Sequence, residues 1–139
     1  MLLLSSQLLL QIHGHGERAY PEEGAGFLIG SDGTDRTIHL IHPLTNSRET
    51  AARHDRYLIT PADYRAVESE ADRLGLILLG VFHSHPDHHE LPSEFDREWA
   101  QPFFSYVITS VRARKAIESR SWRLQDDRSK FLEEPIQIT

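Results

Sequence analysis

The sequence predicts an α+β fold in which helices cover a mixed sheet in three α/β/α-like layers, and three observations predict it. Two stretches carry apolar residues at helical spacing, one near the N-terminus and one after Thr60. Short apolar and β-branched runs of strand length lie between and after them. Helices and strands do not alternate strictly, which disfavours a doubly wound parallel sheet.

Ser5 or Ser6 caps the first helix, where Leu8, Leu9, Ile12 and Ala19 recur at helical spacing. Gly14 and Gly16 weaken its second half, so His13 and His15 are expected at an exposed, broken end. Ala25 to Gly30 reads as a strand, and Thr37 to Ile41 returns beside it as a hairpin around Asp32-Gly33. Residues 43 to 56 are mostly polar and read as a loop, followed by a brief strand at Tyr57-Leu58-Ile59.

Thr60 caps the second helix, with Pro61 in its first turn, a stripe of Tyr64, Val67, Ala71 and Leu74, and Gly75 at its end. Leu76 to Phe82 is a continuous apolar run, expected as a strand buried on both faces. It delivers His83-Ser84-His85-Pro86 to its carboxyl end, where Pro86 is expected to stop the ladder. A short helix from Ser93 to Ala100 and strands over Phe104 to Thr109 and Ile117 to Leu124 complete the elements.

With 139 residues, no internal repeat and no low-complexity segment, one domain over 1–139 is expected. The absence of cysteine excludes disulfides and thiolate metal sites, leaving His, Asp and Glu as the strong ligands. A net charge of −6 opposes nucleic-acid binding, and the basic run Arg112-Ala113-Arg114-Lys115 reads as a solvated face. The N-terminal run MLLLSSQLLLQI fits neither a signal peptide nor a membrane span, so the expected location is cytoplasmic, without a membrane partner. Oligomeric state is not fixed by the sequence.

His83 and His85 stand two apart, so in a strand both imidazoles project to one side and can grip a single ion. Asp96, on the next helix, adds a hard oxygen donor suited to Zn2+ beside two nitrogens. Three such ligands leave one tetrahedral position open for water, the mark of a catalytic rather than a structural zinc site. Each feature has a plainer reading. Ser93-Glu94-Phe95-Asp96 matches a helix capping box, a lone His-x-His is weak, Glu23 alone is a solvated acid in a turn, and His88 and His89 repeat the histidine pattern.

The joint pattern is more specific: Glu23-Gly24-Ala25-Gly26 before a strand, His83-x-His85-Pro86, seven residues between His85 and Ser93, then Asp96. It resembles the JAMM signature of the MPN-plus (Mov34/MPN) metalloprotease family. The likeness covers nearly the whole chain, through Tyr20-Pro21-Glu22-Glu23, Phe27-Leu28-Ile29-Gly30, Asn46, Tyr57-Leu58-Ile59-Thr60-Pro61 and Tyr106-Val107-Ile108-Thr109-Ser110. It implies a largely antiparallel curved sheet and a zinc-dependent peptidase or isopeptidase. His83, His85 and Asp96 would bind one zinc, Glu23 would shuttle the proton of the attacking water, and Ser93 would steady the oxyanion. Ala25 stands where the family often has cysteine.

The compact chain resembles small prokaryotic members that act on ubiquitin-like sulfur-carrier proteins at a C-terminal Gly-Gly. That resemblance implies such a carrier as substrate, and residues 87–91, which lie between the ligands in sequence, are expected as a lid over its tail. Two other readings are a non-catalytic scaffold of the same fold and a DNA-repair-associated relative. The intact ligand set argues against the first, and the acidic balance, with Ser84 where such relatives tend to have Asn, against the second.

Overall fold

The computed structural model describes residues 1–45 and 57–139. The elements follow the order β1 (Leu2–Leu4), α1 (Ser6–Ala19), β2 (Ala25–Ser31), β3 (Arg36–Leu44), α2 (Pro61–Arg73) and β4 (Ile77–Pro86). After these come α3 (Glu94–Trp99), β5 (Ser105–Arg112), β6 (Lys115–Leu124), β7 (Phe131–Glu134) and β8 (Ile136–Ile138).

The strands form one mixed sheet in the order β7-β6-β5-β4-β2-β3-β1-β8. The β2/β3, β2/β4, β5/β6 and β6/β7 pairs are antiparallel, while β4/β5, β1/β3 and β1/β8 are parallel. The two outermost strands are separated in sequence by Pro135 alone. A flat eight-stranded sheet would hold its edges about 30 Å apart, whereas two residues span at most about 7 Å. The sheet is therefore bent round until a single segment, Phe131–Ile138, extends β6 at one edge and β1 at the other. The backbone N–H of Leu2 donates to Pro135 O at 2.9 Å within this seam.

Strand alternation sorts the core to the two faces. Phe27, Ile29, Leu78 and Val81 pack with Val67 and Ala71 of α2 on one face, and Leu28, Leu79, Phe82 and Val107 pack with Ile12 of α1 on the other. That gives the three layers the sequence predicts. By the same alternation, His83 and His85 project to the α2 face and Ser84 to the α1 face.

Both long helices begin as their caps predict. Ser5 Oγ accepts from Leu8 N at 3.1 Å, and Thr60 and Asp63 form a reciprocal capping box. Gly75, at φ 69°, ends the α2 segment in the left-handed region, and Leu74 points to solvent, so the apolar stripe stops at Ala71.

Several expectations are corrected. The first helix runs unbroken to Ala19, because Gly16 is a packing site: a Cβ there would lie 3.1 Å from both Ser84 Cβ and Val111 Cγ2. His13 and His15 are consequently half-buried, the former bonded to Ser119 Oγ at 2.9 Å and the latter to Ala25 O at 3.1 Å. Pro86 belongs to β4, facing Val111 in the parallel ladder, and the following Asp87 N donates to Val111 O at 2.7 Å. Residues 43 and 44 continue β3, and residues 57–60 carry no strand. The rest of the expected 43–56 loop, with Asn46, lies outside the described residues.

Candidate metal centre

β4 is buried on both faces, which fixes the backbone under His83 and His85. Their Nε2 atoms stand 3.2 Å apart. Asp96, at the third position of α3, turns its carboxylate toward them, with Oδ1 3.2 Å from His83 Nε2 and Oδ2 3.2 Å from His85 Nε2. Glu23, two residues ahead of the start of β2, completes the group, with a carboxylate oxygen within 4.8 Å of a ring nitrogen of each histidine. All four side chains are buried.

The capping-box reading of Ser93 and Asp96 and the ligand reading both describe this geometry. Asp96 Oδ2 accepts the backbone N–H of Ser93 at 2.8 Å, and Ser93 Oγ accepts the backbone N–H of Asp96 at 3.1 Å. The box locks the aspartate rotamer that faces the histidines. Because Ser93 Oγ takes that N–H with a lone pair, its own O–H remains a donor. Ser93 also lines the cleft beside Glu23 and His85.

The donor set fits a cation. His85 Nδ1 lies 2.7 Å from His89 O, a pure acceptor, so the ring proton sits on Nδ1 and the Nε2 lone pair faces inward. That lone pair then meets an Asp96 oxygen at 3.2 Å with no hydrogen between them. A cation among these atoms removes the repulsion, and four-coordinate zinc at about 2.0–2.1 Å sets neighbouring ligand atoms about 3.3 Å apart. Protonation states agree. Burial pushes His83 below its ordinary value, toward the neutral ligand form, although Asp96 opposes the shift. Burial alone would raise the Asp96 carboxyl, but the positive charge and N–H bonds of the imidazoles in their protonated form outweigh it and hold it well below the usual carboxylate range, so Asp96 stays an anion on which a cation can replace those protons.

Three contributors take roles that the sequence did not predict. Ser84 Oγ accepts the backbone N–H of Gly24 at 2.8 Å, and Ser84 N donates to Gly24 O at 2.9 Å, which fixes the residue next to Glu23. The Tyr57 ring packs on His83 with centroids 4.6 Å apart. The cleft loop, expected as a lid, is pinned through successive carbonyls: Ser110 Oγ donates to His88 O at 2.6 Å, His85 Nδ1 to His89 O at 2.7 Å, and Trp122 Nε1 to Glu90 O at 3.0 Å. It is tied to the sheet as a wall of the cleft, because each of these donors belongs to β4, β5 or β6.

The cleft, about 360 Å³, is lined by this wall, Glu23, His85, Ser93 and Phe95. Phe95 also borders an aromatic cavity of about 250 Å³ with Tyr57, Tyr64, Trp99 and Tyr106. Among the described residues, no helix is long and apolar enough to cross a membrane.

Comparison with known proteins agrees with this arrangement. The family model for prokaryotic homologs of the JAB domain matches residues 5–125. A CysO-cysteine peptidase from Mycobacterium tuberculosis is 29% identical over 143 residues, covering 99% of this chain and 91% of that protein. A probable TtuB-protein conjugate cleaving protease from Thermus thermophilus is 33% identical over 118 residues, 81% of this chain and 74% of the relative. The solution structure of a Salinibacter ruber protein, 43% identical, superposes with a TM-score of 0.77 over 100% of this chain and 92% of that one. A JAB1/MPN domain protein from Archaeoglobus fulgidus, 19% identical, shares the fold at a TM-score of 0.63, over 100% of this chain and 99% of that one.

Proposed function

Because this chain belongs to the family of prokaryotic homologs of the JAB domain, we propose that it is a zinc-dependent peptidase. Its proposed substrate is a peptide or isopeptide bond at the C-terminal glycine of a ubiquitin-like sulfur-carrier protein. Two relatives support that substrate class, since their names denote CysO-cysteine and TtuB-protein conjugates as what they cleave. The observation that carries the reading is the pair of facing imidazole nitrogens, 3.2 Å apart, each 3.2 Å from an Asp96 oxygen.

In this reading His83, His85 and Asp96 hold one zinc. Asp96 is proposed as the oxygen ligand because it approaches both rings at 3.2 Å, and Glu23, whose carboxylate lies within 4.8 Å of both, as the proton acceptor. A zinc ion held by these residues would supply Lewis acidity to a water and to the scissile carbonyl. Glu23 accepts the proton of the attacking water and returns it to the departing amine as the C–N bond breaks. The Ser93 O–H donates to the carbonyl oxygen as it gains negative charge. The pinned wall of residues 88–90 keeps the cleft preformed around the tail.

The test uses a sulfur-carrier fused through Gly-Gly to a short peptide, followed by mass spectrometry of the products. Cleavage directly after the second glycine is expected, stopped by chelation and restored by zinc, and much slower when that glycine is valine, whose Cβ branch obstructs close approach. Elemental analysis should show about one zinc per chain, largely lost in His85→Ala. Cleavage that continues after chelation, or equal rates for the Gly-Gly and Gly-Val fusions, would refute the proposal.

A further inference from the structure

Asp87, the residue after β4, takes no part in the chemistry above, yet two segments beside the site are tied to it. Its backbone N–H prolongs the β4/β5 ladder by donating to Val111 O at 2.7 Å, so its place follows the strand that carries His83 and His85. Its φ of 57° lies in the left-handed region, which aspartate tolerates better than most side chains. The carboxylate then works in two directions. Oδ1 accepts the Ala113 N–H at 3.2 Å, in the turn between β5 and β6, and Oδ2 accepts the Tyr20 hydroxyl at 2.6 Å. Arg114, from the same turn, lies over the Tyr20 ring at 5.7 Å.

Tyr20 opens the short connection that carries Glu23 from α1 to β2. The connection has little slack. The Tyr20 N–H is still bonded to Gly16 O at 3.1 Å, the φ of Pro21 is fixed by its ring, and the Glu22 N–H donates to Ala19 O at 2.8 Å. At the other end Gly24 exchanges two hydrogen bonds with Ser84, at 2.8 and 2.9 Å. Glu23 is therefore suspended between two attachments, one to Ser84 and one to Asp87, which lie on either side of His85 in the chain.

We infer that Asp87 is a positioning residue, which acts through Tyr20 to set Glu23 against His83 and His85. The inference rests on the peptidase reading and adds to it a residue that lies outside the ligand group. A carboxylate that takes a proton during the reaction must hold its place closely, since a small misplacement slows the step. A connection held at Gly24 alone could pivot about that residue. The second hold, at Tyr20, removes that freedom. Because the Tyr20 bond is exposed and the Gly24 bond buried, losing the former should cost less.

The test uses the zinc-loaded full chain and the Gly-Gly carrier fusion. Tyr20→Phe removes only the hydroxyl and keeps the ring under Arg114, while Asp87→Gly removes the carboxylate and suits the left-handed backbone. Each should lower kcat about threefold to fivefold, with KM and zinc content unchanged. Asp87→Asn, whose side-chain oxygen still accepts, should recover part of the rate. The double variant should be no slower than Asp87→Gly alone, because both substitutions remove the same bond. Amide hydrogen exchange, read by NMR, should quicken severalfold at Glu22 and Gly24 in both single variants and stay unchanged in β4. Unchanged kcat in Tyr20→Phe, additive losses in the double variant, or unaltered exchange at Glu22 and Gly24 would overturn the positioning role. A wild-type protein that leaves the carrier intact strikes the peptidase reading instead, and exchange in the two single variants then decides the clamp by itself.

Discussion

Asp96 is bound at once by the helix it starts and by the histidines it faces: its Oδ2 accepts Ser93 N at 2.8 Å and stands 3.2 Å from His85 Nε2. Helix capping and site assembly are one interaction, and Ser93, which lines the cleft, joins them through its backbone N–H and through the Oγ that accepts Asp96 N.

Ser93→Ala should therefore lose two things separable by measurement. Loss of the cap should lower unfolding free energy by about 1 kcal/mol in urea titration. Loss of the O–H donor should lower kcat by about a hundredfold or more. Full activity alongside lowered stability would reduce Ser93 to a cap.

Glu23→Gln should keep zinc and lose turnover, because the amide preserves shape but cannot accept the water proton. Glu22→Gln should remain active. Glu23 is 5% exposed and joins the ligand group, whereas Glu22 is absent from it and half-buried. Elemental analysis and steady-state rates on both variants decide the point, and comparable loss in Glu22→Gln would overturn the assignment.

Much of this site is legible in the sequence because its parts are local. The capping box spans four residues, and the alternation that aims His83 and His85 together spans three. The hairpin at Asp32-Gly33 and the cap at Thr60 are equally short-range signals. What escapes depends on distant partners. The strand Leu2–Leu4 has only three residues, and Phe131–Ile138 becomes strand only by joining the two edges of a bent sheet. Gly16 lowers helix propensity locally, and only the approach of Ser84 and Val111 shows why a glycine is needed. The loop over the cleft is expected from its place between the ligands, but its tethering is not legible, since its donors lie on three different strands.

Burial also sets a pH dependence away from the metal ligands. It lowers His13 and His15 below their ordinary value of 6.5, with Glu17 partly opposing the shift at His13 and the Ala25 carbonyl at His15. Lowered groups bind fewer protons folded than unfolded. Stability should thus be constant above about pH 7 and fall as pH drops below 6.5, until the folded imidazoles protonate. Thermal unfolding of the chelated protein between pH 7.5 and 5.5 should show this, with a shallower decline in a His13→Asn/His15→Gln variant. Identical slopes for the two proteins would exclude these histidines as its source.

The last prediction concerns Ser84, the residue between the histidines. Its side chain points to the α1 face, where Oγ accepts the Gly24 N–H at 2.8 Å, one residue from Glu23. Removing that oxygen in Ser84→Ala leaves a buried N–H unpaired, which should cost about 1–3 kcal/mol of stability. It should also loosen Glu23, and a small displacement of a proton acceptor slows turnover without weakening substrate binding. Zinc content should hold, because His83 and His85 stand on the opposite face of β4 and keep their own contacts. The expected signature is a fall in kcat of about tenfold, with KM and metal content little changed. A stability loss with kcat intact would make Ser84 a packing residue only, and loss of zinc would show that the two faces of β4 are not independent.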